Sequence, residues 1–242
     1  MNKIILFLRS LIFSIVSVPI IIFFASFACT IGVLLPFRLR QEIVTWANAI
    51  IVFWLRVTCG IRLRVDGLGN LPKTPCVAMA NHQSAWETYF LQRILIPVST
   101  ILKRELIRIP FFGWGLYFMR PIAIDRDNPR RAMKQVQNQG LERLAQGNNV
   151  IIFPEGTRVP FGETGKYARS GANLAIAASV PVVPIAHNAG YCWPAGTFLK
   201  KPGMIHVVIG SPISSDNKDS RQLTEEVKNW IESTKKTLSH QN

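Results

Sequence analysis

Pro75-Cys76-Val77-Ala78-Met79-Ala80-Asn81-His82-Gln83-Ser84-Ala85-Trp86-Glu87 is the stretch from which the fold can be read outward. Its first six residues form an apolar run with the length and composition of a buried strand. The chain then leaves the strand and at once presents the imidazole of His82, with the carboxylate of Glu87 five positions later. On a helical turn that offset brings Glu87 near the same face as His82, within reach of one ring nitrogen. A carboxylate there fixes the tautomer and leaves the other nitrogen as a base, which suits the removal of a proton from an alcohol. The plainer reading is a structural histidine at a strand end, and this stretch alone does not choose between the two.

The surrounding pattern is that of an α/β domain. Ile61-Arg62-Leu63-Arg64-Val65-Asp66 alternates apolar and polar residues, as an edge or half-exposed strand does. Apolar runs predict buried strands at Cys76–Ala80, Val98–Leu102, Val150–Phe153, Val182–Ile185 and Met204–Ile209. Between them, Asn128 to Gln146 has helical spacing, with Ala132, Met133, Val136, Leu141 and Leu144 as its apolar face. Ser170 to Ser179 reads as another helix, ended by Val180-Pro181. Ser220 to Leu238 is amphipathic, with Leu223, Val227, Trp230, Ile231 and Leu238 inward. Strands alternating with helices predict a mostly parallel central sheet flanked by helices.

Ahead of this domain, no residue from Ser10 to Phe37 carries a charge, a run longer than the roughly 20 residues that cross a bilayer core. A second apolar stretch, Ile43 to Leu55, contains Trp46 and Trp54 and is too short to cross unaided. The two stretches form either a helical hairpin dipping into one leaflet or a single span followed by an interfacial helix. The division expected is therefore a membrane-anchoring hairpin over residues 1–58 and an α/β domain over 59–242. Positive charge flanks the first stretch on both sides, so orientation rests on the large basic remainder, which favours a cytoplasmic body.

Among 242 residues, 28 Lys and Arg stand against 14 Asp and Glu, a net charge of +14 that calls for an anionic partner. The basic residues come as scattered pairs (Lys103-Arg104, Arg130-Arg131, Lys200-Lys201, Lys235-Lys236), unlike a disordered nucleic-acid arm. Cys29, Cys59, Cys76 and Cys192 are widely spaced, and Cys29 and Cys76 lie in apolar runs, which predicts buried thiols rather than disulfides or a metal site. No metal-ligand cluster, P-loop or dinucleotide fingerprint is present.

In an open α/β sheet, ligands bind where strands end. Three candidate sites lie at such junctions. The first is His82–Glu87, and the second is Lys103-Arg104-Glu105-Leu106, ahead of Ile109-Pro110-Phe111-Phe112-Gly113-Trp114. The third is Phe153-Pro154-Glu155-Gly156-Thr157-Arg158. In this last block Pro154 stops the strand and Gly156 lets the backbone turn. Glu155 and Arg158 form either a local pair that steadies the turn or, in the functional reading, a loop whose Arg158 fork binds an anion such as phosphate.

Taken together the blocks resemble the glycerolipid acyltransferases that acylate lysophosphatidic acid. Asn81 to Glu87 is similar to that family's first motif, and Lys103 to Leu106 with Pro110 to Trp114 is similar to its second. Phe153 to Arg158 matches the third without substitution, and Val180-Pro181-Val182-Val183-Pro184-Ile185 is similar to the fourth. Two departures stand out. The acid is Glu87 where the family most commonly has Asp, and Ala168 occupies an often-basic position beside Arg169. The resemblance implies acyl transfer from an acyl-ACP or acyl-CoA thioester to the sn-2 hydroxyl of lysophosphatidic acid, with no metal or organic cofactor. It implies His82 as general base and Glu87 as its orienting acid. Arg158, Lys103 and Arg104 would hold the acceptor phosphate on a loop shaped by Glu155, Gly156 and Thr157, with Asn81 and Arg169 as further contacts. It also implies a bacterial inner-membrane enzyme facing the cytoplasm. The alternatives are a sister acyltransferase using glycerol 3-phosphate, another lysophospholipid or a lyso-ornithine lipid, and a non-enzymatic membrane-anchored protein binding anionic lipid or nucleic acid.

Overall fold

The computed structural model describes residues 2–110, 112–125 and 127–239. Helices α1 (Lys3–Cys29), α2 (Phe37–Val44) and α3 (Trp46–Cys59) come first, followed by β1 (Ile61–Asp66) and β2 (Val77–Ala80). Next come α4 (Trp86–Ile94), β3 (Val98–Lys103), α5 (Phe112–Phe118) and β4 (Ile122–Ile124). Then follow α6 (Pro129–Ala145), β5 (Asn149–Ile152), α7 (Ser170–Ala178) and β6 (Val182–His187). The short α8 (Ala189–Cys192), β7 (Gly203–Ile209) and α9 (Ser220–Ser239) complete the fold.

The strands make one sheet in the order β1-β7-β6-β2-β5-β3-β4, parallel at every join except β6–β7. The expected mostly parallel sheet is thus present, with the alternating strand β1 at an edge. Period-two alternation sorts the inner strands cleanly between two cores. Ala78, Ala80, Ile151, Val183 and Ile185 join a cluster with Leu91, Ile51 and Leu55. Val77, Met79, Val150, Ile152 and Val182 join one with Leu174, Leu223, Val227 and Ile231. Both faces are covered, so these strands read as unbroken apolar runs. Because β2, β5, β3 and β4 run parallel, their carboxyl ends share one edge of the sheet, where His82, Phe153–Arg158 and Lys103 all emerge.

The N-terminal helices lie along the flank of the sheet domain. Arg9 Nε donates to the Thr58 carbonyl at 2.6 Å, so the start of α1 meets the end of α3. The Lys200 backbone N–H donates to Ser10 Oγ at 2.9 Å, and further along α1 Ala25 packs against Gly115 of α5. An added Cβ at Gly115 would lie 2.7 Å from the Ala25 Cβ, so only glycine permits this approach. Gln41 of α2 spans both backbone groups of Val98, accepting from its N–H at 2.8 Å and donating to its carbonyl. Phe13, Ile51, Leu55 and Cys59 share a buried cluster with Ile61, Ile205 and Val207 of the sheet. The helices bear Ile4, Ile15, Phe23, Trp46 and Phe53, and the α1–α2 connection bears Leu34, all exposed.

Several details differ from the sequence reading. The second helical stretch extends over Phe37–Cys59 and is long and apolar enough to cross a membrane, as is α1. Strand β4 is only three residues long, too short to show a period. Met133, expected to be inward on α6, is 55% exposed, because that turn of the helix borders a cavity rather than the core. Cys59, Cys76 and Cys192 are buried, while Cys29 is partly exposed.

Candidate active site

His82 follows β2 by two residues, in an irregular turn that leads into α4. Its Nδ1 lies 2.7 Å from Glu87 Oε1, and the Glu87 side chain is fully buried. The same oxygen accepts the backbone N–H groups of Gln83 at 2.9 Å and Ser84 at 2.8 Å. Ser84 Oγ in turn accepts the Trp86 N–H at 3.2 Å. Ser84-Ala85-Trp86-Glu87 has the spacing of a capping box and half of its bonds: the acid reaches back to the serine N–H, while the N-cap position is Ala85 and the serine hydroxyl takes the Trp86 N–H rather than that of Glu87. His82 and Glu87 are brought together by this turn and not by sharing a helical face. Burial works against ionising Glu87 and is outweighed by the hydrogen bonds from His82 and the Ser84 N–H, which hold its carboxyl below the usual range. An ionised carboxylate only accepts, so the proton of the pair sits on His82 Nδ1, and in the neutral imidazole that leaves the lone pair on Nε2. His82 stacks on Phe153 at 4.1 Å, and its side chain is 11% exposed.

The third block wraps over the same turn. Glu155 Oε2 accepts the His82 backbone N–H at 2.5 Å, and the Val159 N–H donates to the His82 carbonyl at 2.7 Å. Arg158 Nε donates to the Ser84 carbonyl at 3.1 Å. Gly156 has φ +69 with open space where a Cβ would stand, so the glycine serves backbone conformation and not close packing. Thr157 is exposed on the loop beside it. Burial pushes the Glu155 carboxyl up to about 7, against the His82 N–H and the Lys235 charge, which lower it.

Two cavities flank the turn. One of about 440 Å³ is lined by His82, Phe153, Gly156 and Arg169 together with Ile101, Ile124, Met133 and Val136. The other, about 280 Å³, is lined by Gln83, Arg158, Phe161, Tyr191 and Lys201. Lys103 follows Ile101 by two positions on β3 and so shares its face, but its ammonium lies 3.8 Å from Glu105. Arg104 is exposed, and neither residue lines the cavity beside His82. Among the charged candidates, His82, Glu87, Glu155 and Arg158 are joined about one turn, Arg169 lines the cavity beside His82, and Lys103 and Arg104 line neither cavity.

Asn81 faces inward, pairing its side chain with the backbone of His187: Nδ2 donates to the carbonyl at 3.0 Å and Oδ1 accepts the N–H at 2.9 Å. The ring of His187 accepts from the Ala189 N–H on Nδ1 at 3.3 Å, so Nε2 is the donor to the Asn81 carbonyl at 2.7 Å. Burial holds the His187 pKa below the usual histidine value. The sequence reading did not single out His187 or Lys235. Lys235 had a signal: Leu223, Val227 and Ile231 descend α9 at four-residue spacing, and Lys235 is the next position on that apolar stripe.

A family model described as Acyltransferase matches residues 62–188. A 1-acyl-sn-glycerol-3-phosphate acyltransferase from Pseudomonas aeruginosa is 46% identical over 213 residues, covering 86% of this chain and 83% of that protein. One from Saccharomyces cerevisiae is 29% identical over 228 residues, covering 89% and 72%. The crystal structure of the 1-acyl-sn-glycerophosphate acyltransferase PlsC from Thermotoga maritima superposes with a TM-score of 0.84, covering 99% of this chain and 98% of that one. At 23% identity, that likeness is one of fold. With a family match over half of its length and a close relative along most of it, the chain belongs to the acyltransferase family, among the 1-acyl-sn-glycerol-3-phosphate acyltransferases.

Proposed function

We propose that the protein moves a fatty acyl group from an acyl-ACP or acyl-CoA thioester to the sn-2 hydroxyl of lysophosphatidic acid, giving phosphatidic acid. The observation that carries this reading is the 2.7 Å contact of His82 Nδ1 with a buried Glu87, which fixes the imidazole while His82 borders a largely apolar cavity. Nε2 takes the hydroxyl proton as the oxygen attacks the thioester carbonyl. The ester C–O bond forms, the C–S bond breaks, and the thiolate leaves with the proton that Nε2 had accepted. No enzyme nucleophile is needed, because base, alcohol and thioester are held together. A positioned base supplies about 10²–10⁴-fold, and orientation of the reactants supplies more. Arg158 holds the acceptor phosphate in this reading, its guanidinium anchored through Nε on the Ser84 carbonyl.

Family membership makes the protein an enzyme and sets aside the non-enzymatic binding reading. The exposed apolar face of α1–α3 supports a membrane-resident acceptor, since moving a long acyl chain through water is costly. The contacts at Ser10 and Ala25 hold α1 along the body over much of its length. That supports a hairpin sunk into one leaflet, and the basic charge of the body supports a site on the cytoplasmic side of the inner membrane. The test offers purified protein lysophosphatidic acid, glycerol 3-phosphate and other lysolipids with both donors, identifying products by mass spectrometry. His82→Ala should abolish transfer with the fold intact, and near-normal turnover in that variant would refute the base.

A further inference from the structure

The C-terminal helix buries a cation that the mechanism above does not use. Lys235 is 9% exposed on the inner stripe of α9, and lysine is almost never buried unless paired. Its Nζ donates to Glu232 Oε1 at 2.9 Å, to Glu232 Oε2 at 3.0 Å and to the Glu163 carbonyl at 3.0 Å. Glu232 is held in turn by the Tyr167 hydroxyl at 2.9 Å and the Thr164 hydroxyl at 2.7 Å. The Lys235 ammonium lies 4.0 Å from Glu155 Oε1, an oxygen with no hydrogen bond among the described residues. The other oxygen of Glu155 grips the His82 N–H. A buried line of contacts therefore runs from the last helix to the backbone of His82.

We propose that Lys235 is a positioning residue for acyl transfer: it steadies the Glu155 carboxylate on the His82 backbone N–H and so sets where the imidazole stands. This rests on the reading of His82 as the base. Glu87 and Phe153 fix the ring, whereas Glu155 and the Val159 N–H fix the peptide that carries it. A charged acceptor holds an N–H about twice as strongly as a neutral one. The titratable groups facing Glu155 are Lys235 and Glu232 from α9, Glu87 from α4 and Tyr167 from the loop before α7. Lys235 is the cation in that set. Without it, two carboxylates and burial all favour the protonated acid, and the grip on His82 weakens near neutrality.

The experiment uses the full chain in detergent or bilayers and compares K235M, K235R and H82A. For K235M we expect kcat near neutrality to fall about 10- to 100-fold, the scale of a displaced catalytic group. Both KM values should stay close to those of the parent, part of the loss should recover as the pH is raised, and K235R should restore most of kcat. An unchanged kcat and pH profile in K235M, with H82A inactive, would overturn the positioning role and leave the base in place. A loss equal at every pH and not repaired by arginine would overturn it too, as a purely structural defect. An active H82A would instead remove the reading beneath it. If melting curves show that K235M does not fold, K235Q is read by the same criteria.

Discussion

Burial holds the Glu155 carboxyl at about 7, above the 4.5 of a free glutamate, so the folded protein binds that proton more tightly than the unfolded chain. The contribution to stability is therefore complete below about 4.5 and is lost as the pH rises through about 7. On this account Glu155→Gln should flatten the fall in unfolding free energy across that window, by up to about 3 kcal/mol. Chemical denaturation at a series of pH values measures it, and an unaltered slope would mean that Glu155 does not titrate there. Glu87 differs, because three donors converge on one of its oxygens and keep it ionised. The sequence made the His82–Glu87 pair legible, though by a mistaken route. Ser84-Ala85-Trp86-Glu87 carries the capping-box spacing openly, and the greater reach of glutamate lets one carboxylate serve both the Ser84 N–H and the imidazole. Glu155 was less legible: nothing in a short charged loop tells whether its acid faces solvent or the peptide of a residue 73 positions earlier.

The turn after β2 and the loop after β5 act as one element, because the Arg158–Ser84, Val159–His82 and Glu155–His82 hydrogen bonds sew them together. In the phosphate-binding reading, Arg158→Ala should raise the acceptor KM at least tenfold, the loss of a charge-assisted contact of about 1.5–3 kcal/mol, and leave the thioester KM nearly unchanged. Initial-rate kinetics with each substrate varied in turn distinguishes this from a change confined to the thioester KM. Strands β2, β5 and β6 were legible because both faces are covered and their apolar runs are unbroken. Helix α6 was legible in extent but not in its facing, since a methionine bordering a cavity looks the same in sequence as one in the core. The four-residue stripe of α9 was legible except for its last member, where a charged residue conceals a buried position.

At the scale of the molecule, the N-terminal helices complete the core. Phe13, Ile51 and Leu55 bury their side chains against the sheet domain. At about 1.5–3 kcal/mol each, the three together rival the 5–15 kcal/mol by which a whole domain is usually stable. A chain lacking α1–α3 should therefore be degraded in limited proteolysis under conditions that spare the full protein, even with membrane or detergent supplied. Length and hydropathy announced these helices in the sequence, but not their seat on the sheet, which depends on partners such as Ile205 far along the chain. The sheet order carries a consequence for synthesis. Strand β1 has a single neighbour, β7, and their pairing runs from Ile61–Gly203 to Asp66–Val208. At about 5–20 residues per second, on the order of ten seconds separates the emergence of the two strands from the ribosome. Throughout that interval the nascent chain has its greasy helices but not the strand that closes the sheet. On the membrane-anchored proposal, the bilayer receives the chain before there is an enzyme to anchor.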